Sequence, residues 1–286
     1  MKGSLVAIVT PMFKNGEIDF DSLKKLFNFH EEKRTDGIVL VGTTGESATL
    51  NKFERGEIFS FAKKESKIPL IAGVGSSSTK DAIELIEISA KSGIYDCLAV
   101  TPYYNKPSQK GMFLHFQELS KTSCNIVLYN VPGRTGVDLD PVTTKQLAEI
   151  ENITGIKEAV DTTERFRALQ DIKSMRDDFL LYSGDDPTFV EFMKYGGDGV
   201  ISVAANVMPE QIRQLSELCF QRRFDEAKQL NEKYLEFFKL LFTEASPSPC
   251  KYLLEKMSLL ENNLRLPLHP LSKEYREKIY ETFKNI

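Results

Sequence analysis

One lysine of this sequence stands where a lysine could act as a nucleophile. Most of its lysines lie in charged stretches typical of solvated helix faces, but Lys157 directly follows the apolar run at residues 153–156. Burial lowers the pKa of an amine, and a neutral amine can attack a ketone carbonyl to form a Schiff base. A structural ion pair with Glu158 explains the same position equally well. Glu158 itself is predicted to be a buried structural carboxylate rather than a catalyst.

Hydroxyl side chains near other apolar runs could move protons for such a reaction. Tyr129 ends the run that precedes Lys157 in the chain, so the two are expected to be neighbours if the runs form adjacent strands. A phenol can act as general acid and base when its proton passes along other hydroxyls, and Thr43 and Tyr104 could supply that relay. A core tyrosine with one satisfied hydroxyl is an equally good explanation of Tyr129.

Two segments are suited to binding a small carboxylic acid. Thr43 and Thr44 offer two hydroxyls directly after an apolar run, and the sequence lacks the GxxxxGK[ST] pattern of a phosphate loop. Arg134 lies in a Pro-Gly-Arg-Thr-Gly loop, where a guanidinium could hold a carboxylate through two hydrogen bonds. A surface salt bridge is the alternative for Arg134.

The composition argues against metal, nucleic-acid and membrane sites. The four cysteines and three histidines are scattered, and Asp185-Asp186 before Pro187 is interpreted as a helix N-cap rather than a magnesium site. A net charge of −4 argues against a nucleic-acid or anionic membrane partner. No apolar run approaches the roughly 20 residues that span a bilayer. With no signal-peptide pattern, a cytoplasmic protein with reduced thiols is expected.

Eight short apolar runs could position these side chains. They begin 20 to 33 residues apart and lie at residues 5–9, 37–41, 70–74, 97–100, 126–129, 153–156, 179–182 and 199–203. Segments with helical periodicity separate them. A strand followed by a helix eight times predicts an α/β fold, the (β/α)8 TIM barrel, whose active site lies at the carboxyl ends of the strands. An open doubly wound sheet is the alternative, but the regular spacing and the number eight favour closure.

Further helices are predicted after the eighth run. They lie at residues 209–220, 224–241, 250–260 and 272–283. The eighth strand needs only one covering helix. Although 286 residues would also suit two domains of about 150 residues, we predict a catalytic barrel over residues 1–220 and a helical extension packed on it over residues 221–286.

Five segments resemble the pyruvate-dependent Schiff-base lyases, and most closely the dihydrodipicolinate synthase family among them. They are GTTGES at 42–47, TPYYN at 101–105, YNVPGRTG at 129–136, GIKEA at 155–159 and GVISVAAN at 199–206. The resemblance covers nearly the whole chain in order and spacing. It implies condensation of pyruvate with L-aspartate 4-semialdehyde, on the route to diaminopimelate and lysine, without a metal or an organic cofactor.

The resemblance also implies a role for individual residues. Lys157 would form the imine with pyruvate, and Tyr129 would move protons during imine formation and cyclisation. Its relay partners would be Thr43 and Tyr104, with Tyr104 supplied across a dimer interface. The implied substrate-binding residues are Thr44 and the Ile201 backbone for pyruvate, Gly184 after the seventh run, and Arg134 for the carboxylate of the aldehyde.

Two other functions remain open on the residues alone. Sugar-acid aldolases of the same mechanism, such as N-acetylneuraminate lyase and 2-keto-3-deoxy-gluconate aldolase, share the lysine and the tyrosine. They are expected to lack the loop arginine, so Arg134 and the pair Tyr103-Tyr104 favour the synthase. A non-catalytic barrel that senses a small acid is a third hypothesis, but a sensor needs no imine-forming amine.

The resemblance further implies a homotetramer built as a dimer of dimers and, in some members, a lysine-binding regulatory site at the dimer interface. The matching positions are Ser47, Ala48, Lys52, Arg55, Ser77, Asp81 and Tyr103. Two added cations, Lys52 and Arg55, would repel the ammonium group of lysine. Asp81 is shorter than the glutamate of sensitive members, so weak or absent feedback is expected.

Overall fold

The computed structural model describes residues 1–286 and contains eight strands and twelve α-helices. The strands are β1 (Gly3–Ala7), β2 (Gly37–Leu40), β3 (Leu70–Gly73), β4 (Asp96–Val100), β5 (Asn125–Asn130), β6 (Ile153–Glu158), β7 (Leu180–Ser183) and β8 (Gly199–Ser202). The helices are α1 (Phe20–Glu32), α2 (Lys52–Glu65), α3 (Thr79–Lys91), α4 (Gln109–Leu119), α5 (Pro132–Thr135), α6 (Pro141–Leu147), α7 (Thr163–Met175), α8 (Phe189–Lys194), α9 (Pro209–Phe220), α10 (Phe224–Leu240), α11 (Ser248–Lys256) and α12 (Lys273–Lys284). Every predicted run coincides with one strand to within two residues at each end.

The strands close into one parallel barrel in chain order. β1 pairs with β2 on one side and with β8 on the other, so that Leu5 lies opposite both Gly37 and Ile201. An open sheet would leave two edge strands unpaired. The predicted (β/α)8 barrel is therefore confirmed, and the doubly wound sheet is excluded.

Apolar side chains fill the barrel on both sides of its wall. Nine buried residues form a cluster inside it, including Leu5, Val39, Leu98 and Ile201. A second cluster of 64 buried residues fills the layer between the strands and the helices. Successive side chains of a strand point to opposite faces, and both faces are buried here. This explains why the strands appear in the sequence as continuous apolar runs.

A side-chain cap fixes where α2 begins and therefore how long the loop that precedes it is. At the start of α2, the Asn51 side chain accepts a hydrogen bond from the Glu54 amide, and the Glu54 carboxylate accepts one from the Asn51 amide. This reciprocal pair satisfies two donors that the helix itself leaves free. The loop between β2 and α2 is thereby kept short, and it contains the turn Ser47–Thr49.

The three helices after α9 cover part of the barrel. α10 packs against α8, α9 and α12, whereas α11 packs against α12 and the turn Ala204–Asn206 that follows β8. The helices predicted in this region are present, although α11 begins two residues earlier and ends four residues earlier than predicted. No helix combines the length and the apolar character needed to cross a bilayer.

Candidate active site

The strand register brings Lys157 and Tyr129 together. Tyr129 of β5 lies opposite Lys157 of β6, and Tyr182 of β7 lies opposite Lys157 on its other side. Paired residues of neighbouring strands point to the same face, which here is the barrel interior that holds both tyrosines. The Lys157 Nζ atom lies 4.4 Å from the centroid of the Tyr129 ring. The predicted proximity of the two side chains is confirmed.

Lys157 is buried without an ion-pair partner. Only 5% of the residue is exposed, and no carboxylate oxygen lies within 4.0 Å of its amine. Burial lowers the pKa of Lys157 to about 8; the charge of Asp186 opposes this shift, and that of Arg134 adds to it. A sizeable fraction of the amine is therefore uncharged at neutral to mildly alkaline pH.

Glu158 belongs to a separate network on the outer face of β6. Its carboxylate accepts hydrogen bonds from Arg165 Nη1 at 3.0 Å, from Asn130 Nδ2 at 3.0 Å and from the Val160 amide at 2.8 Å. Burial raises the pKa of Glu158 to about 7, although the charge of Arg165 opposes the shift. Glu158 is thus paired with Arg165 and not with Lys157, which removes the ion-pair explanation of the lysine.

The Tyr129 phenol is also shielded from water. Burial raises the pKa of Tyr129 to about 12, and the charge of Arg134 and the hydroxyl of Thr43 oppose this shift. At neutral pH the phenol therefore holds its proton and can donate it. Thr43 lines the same cavity as Tyr129, and its role in a proton relay stays a prediction.

One cavity at the carboxyl end of the barrel contains most of the predicted site. Its volume is about 160 Å³, well above the roughly 10–15 Å³ that one water molecule needs on this measure, so it has room for a three-carbon acid. The predicted residues that line it are Thr43, Thr44, Tyr129, Arg134, Lys157 and Gly184. The other lining residues are Ala7, Val39, Gly42, Leu98, Val131, Ala159, Asp185, Val203 and Phe242.

Phe242 is a lining residue that the sequence analysis did not find. It follows α10 and is 46% exposed, so an aromatic side chain of the C-terminal extension stands beside the cavity. Most of the predicted site residues follow the ends of the apolar runs, whereas Phe242 follows the end of a helix. A large apolar residue just after a helix end was the only signal, and it is a weak one.

Asp186 corrects one interpretation of the sequence. α8 begins at Phe189, and the carboxylate near its start is that of Asp185, which accepts from the Thr188 hydroxyl at 2.6 Å. Asp186 instead turns inward, where its Oδ2 atom accepts from the Val203 and Ala204 amides at 3.1 and 2.9 Å. The N-cap prediction is wrong because free amides after β8 offered Asp186 a buried partner. The structure groups no three His, Cys, Asp or Glu side chains that could hold a metal ion.

Two predicted residues do not line the cavity. Ile201 lies on β8, and its side chain belongs to the apolar cluster inside the barrel. Tyr104 is 93% exposed and has a φ of +75°, and its side chain does not line the cavity of its own chain. The predicted backbone contact of Ile201 and the role of Tyr104 stay predictions.

The predicted regulatory positions lie together outside the barrel. The Lys52 amine contacts Asp81 at 2.5 Å and also pairs with Glu84. Arg55 donates to the Ser47 carbonyl at 2.6 Å, and burial lowers the pKa of Arg55 while Tyr103 opposes that shift. The carbonyl of Ser77 accepts a hydrogen bond from a neighbouring asparagine, and Ala48 lies in the turn Ser47–Thr49. The charge of Lys52 is therefore already balanced by Asp81 and Glu84. Lys52 would weaken lysine binding by holding these carboxylates rather than by direct repulsion of the ammonium group.

Comparison with known proteins assigns the chain to a family. The model of the Dihydrodipicolinate synthetase family matches residues 1–286. The chain belongs to this family.

Members of the dihydrodipicolinate synthetase family resemble the chain over nearly its whole length. The 4-hydroxy-tetrahydrodipicolinate synthase of Buchnera aphidicola is 45% identical over 282 residues, which cover 97% of this chain and 95% of the relative. A second relative is the chloride-inhibited dihydrodipicolinate synthase of Acinetobacter baumannii, solved in complex with pyruvate. It is 43% identical to this chain and superposes with a TM-score of 0.95, and the match covers 99% of this chain and 98% of the relative. The Cyanidioschyzon merolae enzyme, solved with lysine bound, is 35% identical with a TM-score of 0.94. The match covers 99% of this chain and 97% of the relative.

Proposed function

We propose that the chain is a lyase that condenses pyruvate with L-aspartate 4-semialdehyde to give 4-hydroxy-tetrahydrodipicolinate. The observation that carries this function is a buried lysine without an ion-pair partner, held beside a buried tyrosine in a small cavity of a family member. The product leads into diaminopimelate and lysine synthesis.

Lys157 acts first as the nucleophile. Its neutral amine attacks the keto carbon of pyruvate, and loss of water from the resulting carbinolamine gives an imine. The cationic imine withdraws electrons, so a proton leaves the methyl carbon and an enamine forms. The enamine carbon then attacks the aldehyde carbon of the second substrate. Attack of that substrate's amine on the imine carbon closes the ring and releases Lys157.

Tyr129 supplies and removes the protons of these steps. Its phenol donates to the carbinolamine oxygen as water leaves, and the Thr43 hydroxyl returns a proton to it. Tyr104 completes the relay from a second copy of the chain, since its own phenol is exposed.

Thr44, Arg134 and two backbone positions hold the substrates. Thr44 binds the pyruvate carboxylate within the cavity, assisted by the backbone at Ile201 and by Gly184. Arg134, on α5 at the cavity wall, binds the carboxylate of the aldehyde. A Cβ atom at Gly184 would lie 3.0 Å from the Lys157 Cε atom, so a side chain there would crowd the nucleophile.

Borohydride trapping tests the mechanism. The protein is incubated with pyruvate, reduced with borohydride and analysed by peptide mass spectrometry, with Lys157→Arg as the matched control. We expect one reduced adduct on Lys157 and none in the variant, whose turnover is lost. Turnover with L-aspartate 4-semialdehyde but not with N-acetylneuraminate or 2-keto-3-deoxy-gluconate selects the synthase over the sugar-acid aldolases. Near-normal turnover of Lys157→Ala would refute the mechanism, and binding of pyruvate without an adduct would indicate a sensor.

Lysine is expected to inhibit this enzyme weakly. Lys52 pairs with the carboxylates of Asp81 and Glu84, so its amine competes with the ammonium group of lysine for these two acidic groups. Arg55, which is buried and donates to the Ser47 carbonyl, adds a second positive charge among the same predicted positions. A steady-state assay with added L-lysine checks this prediction, and clear inhibition at submillimolar lysine would contradict it.

A further inference from the structure

A buried ion pair joins the C-terminal extension to the loop that carries Thr43 and Thr44. Lys251 of α11 donates from Nζ to Glu46 Oε1 at 2.5 Å, and both side chains are 0% exposed. Removing two charges from water is unfavourable, and replacing such a pair by apolar residues is often neutral or stabilising. Stability alone is therefore a poor explanation of this pair.

The extension completes the hydrogen bonds of both charged groups. Lys251 Nζ also donates to the Asn263 carbonyl at 2.7 Å, and the Arg265 amide donates to Glu46 Oε2 at 3.1 Å. The Arg265 side chain continues across to the Thr49 carbonyl at 2.7 Å. Two segments of the extension, at Lys251 and at Arg265, thus donate hydrogen bonds to the single carboxylate of Glu46.

The backbone of Glu46 is part of the loop of residues 42–46, which contains Thr43 and Thr44 and is called the substrate loop below. Its φ is +58°, in the left-handed region that residues other than glycine occupy at a cost. Its amide donates to the Thr43 carbonyl at 3.1 Å. Val41, at the other end of the loop, has a φ of +52°. Strained residues of this kind persist only where their surroundings hold them in place.

We propose that Lys251 and Glu46 are positioning residues, which hold the loop in its strained conformation and so fix the hydroxyls of Thr43 and Thr44 in the cavity. Neither residue lines the cavity, so both act through the two threonines. The C-terminal extension therefore helps to position the site, in addition to packing against the barrel. This inference rests on the proposed roles of the two threonines.

A paired substitution tests the proposal without leaving a buried charge unpaired. In the double variant Glu46→Gln/Lys251→Met both charges disappear together, so the thermal midpoint is expected to stay close to that of the unchanged protein. We expect kcat/KM for pyruvate to fall by about tenfold to a hundredfold, because misplacement by about 1 Å can have that effect. The KM for pyruvate is expected to rise because Thr44 binds the carboxylate less well, and kcat is expected to fall because Thr43 relays protons less well.

The single variant Glu46→Asp gives a second measure. It keeps the negative charge but shortens the side chain by one methylene, so the loop must move toward Lys251 or lose the contact. The same changes in KM and kcat are expected. The variant Glu54→Gln is the matched control, because it removes the ion pair between Arg265 and α2 but keeps the helix cap. Its kinetics are expected to be unchanged.

Amide hydrogen exchange separates this proposal from the proposed function. In protein without substrate, residues 42–46 are expected to exchange faster in the double variant and in Glu46→Asp than in Glu54→Gln. If the unchanged protein fails to turn over pyruvate and the aldehyde, the proposed function fails but the exchange result still tests the positioning.

The outcomes that overturn the proposal are equally definite. A folded double variant with unchanged kcat, KM and amide exchange would overturn the proposal. If the double variant does not fold, unchanged kcat, KM and exchange in Glu46→Asp would overturn it as well. Loss of folding in both, with Glu54→Gln folded, would show that the pair is purely structural and would also overturn it.

Discussion

Lys157 is set apart from the other lysines by its surroundings rather than by its type. Burial removes water from its amine, Arg134 adds a positive charge, and Asp186 opposes both, so that the pKa of Lys157 comes to about 8. Without Asp186 the amine would lose its proton still more readily. The Asp186 carboxylate therefore raises the pH at which the proposed nucleophile becomes available, against the larger effect of burial.

The first prediction concerns the pH dependence of pyruvate use. Only the neutral amine attacks, so kcat/KM for pyruvate should rise about tenfold per pH unit below a pKa of about 8 and level off above it. In the variant Asp186→Asn the charge that raises the pKa of Lys157 is gone, while the amide oxygen can still accept from the Val203 and Ala204 amides. The rise should then move to lower pH. Steady-state pH profiles of both proteins check this, and a shift to higher pH would contradict it.

At the scale of elements, the close approach of the chain after β2 to the neighbouring parallel strand β3 makes the substrate loop possible. After β2 the chain turns sharply at Val41, and its carbonyl comes so close to β3 that a Cβ atom at Gly73 would lie 2.3 Å from it. Only glycine fits at this position, because the atom it faces is backbone and cannot rotate away. The loop that begins at Gly42 depends on that close approach.

The second prediction follows from this close approach. Gly73→Ala should lower the free energy of unfolding by about 1–3 kcal/mol, because overpacking forces the backbone to shift. Gly133→Ala is the control, since a Cβ atom there meets nothing within 4 Å and the residue lies in α5. Its effect should stay within about 0.5 kcal/mol. Urea denaturation of both variants measures the difference, and equal stabilities would contradict the argument.

At the scale of the whole molecule, one chain encloses most of the site but leaves Tyr104 outside it. The side chain of Tyr104 is almost fully exposed to solvent and does not line the cavity. Large exposed aromatic residues are often interface residues. We therefore propose that a second copy of the chain receives Tyr104, within a dimer that assembles further into a tetramer.

The third prediction tests this arrangement by complementation. Tyr104→Phe and Lys157→Ala, each expected to be poorly active alone, are co-expressed and purified together. In a mixed dimer, the chain with Phe at 104 keeps its lysine and receives Tyr104 from its neighbour. With random pairing in two-fold dimers, about a quarter of all sites should be intact. Activity no higher than that of the separate variants would show that Tyr104 does not act across chains.

The local pattern of the sequence determined the fold and most of the candidate site. A parallel strand buried on both faces is a continuous apolar run, so eight such runs predict eight strands within two residues at each end. The residues at the ends of those strands are then known to share one rim, which is why Thr43, Tyr129 and Lys157 could be named together.

Only the tertiary structure decided which distant groups act on these residues. Asp186 turned toward the amides after β8, Phe242 reached the cavity from the end of α10, and Lys251 met Glu46 from 205 positions away. Such contacts leave no periodic signal in the sequence, because they depend on the closed barrel and on where the extension docks. The sequence shows which residues could do the chemistry, whereas the charges and contacts that tune and hold them exist only once the chain has folded.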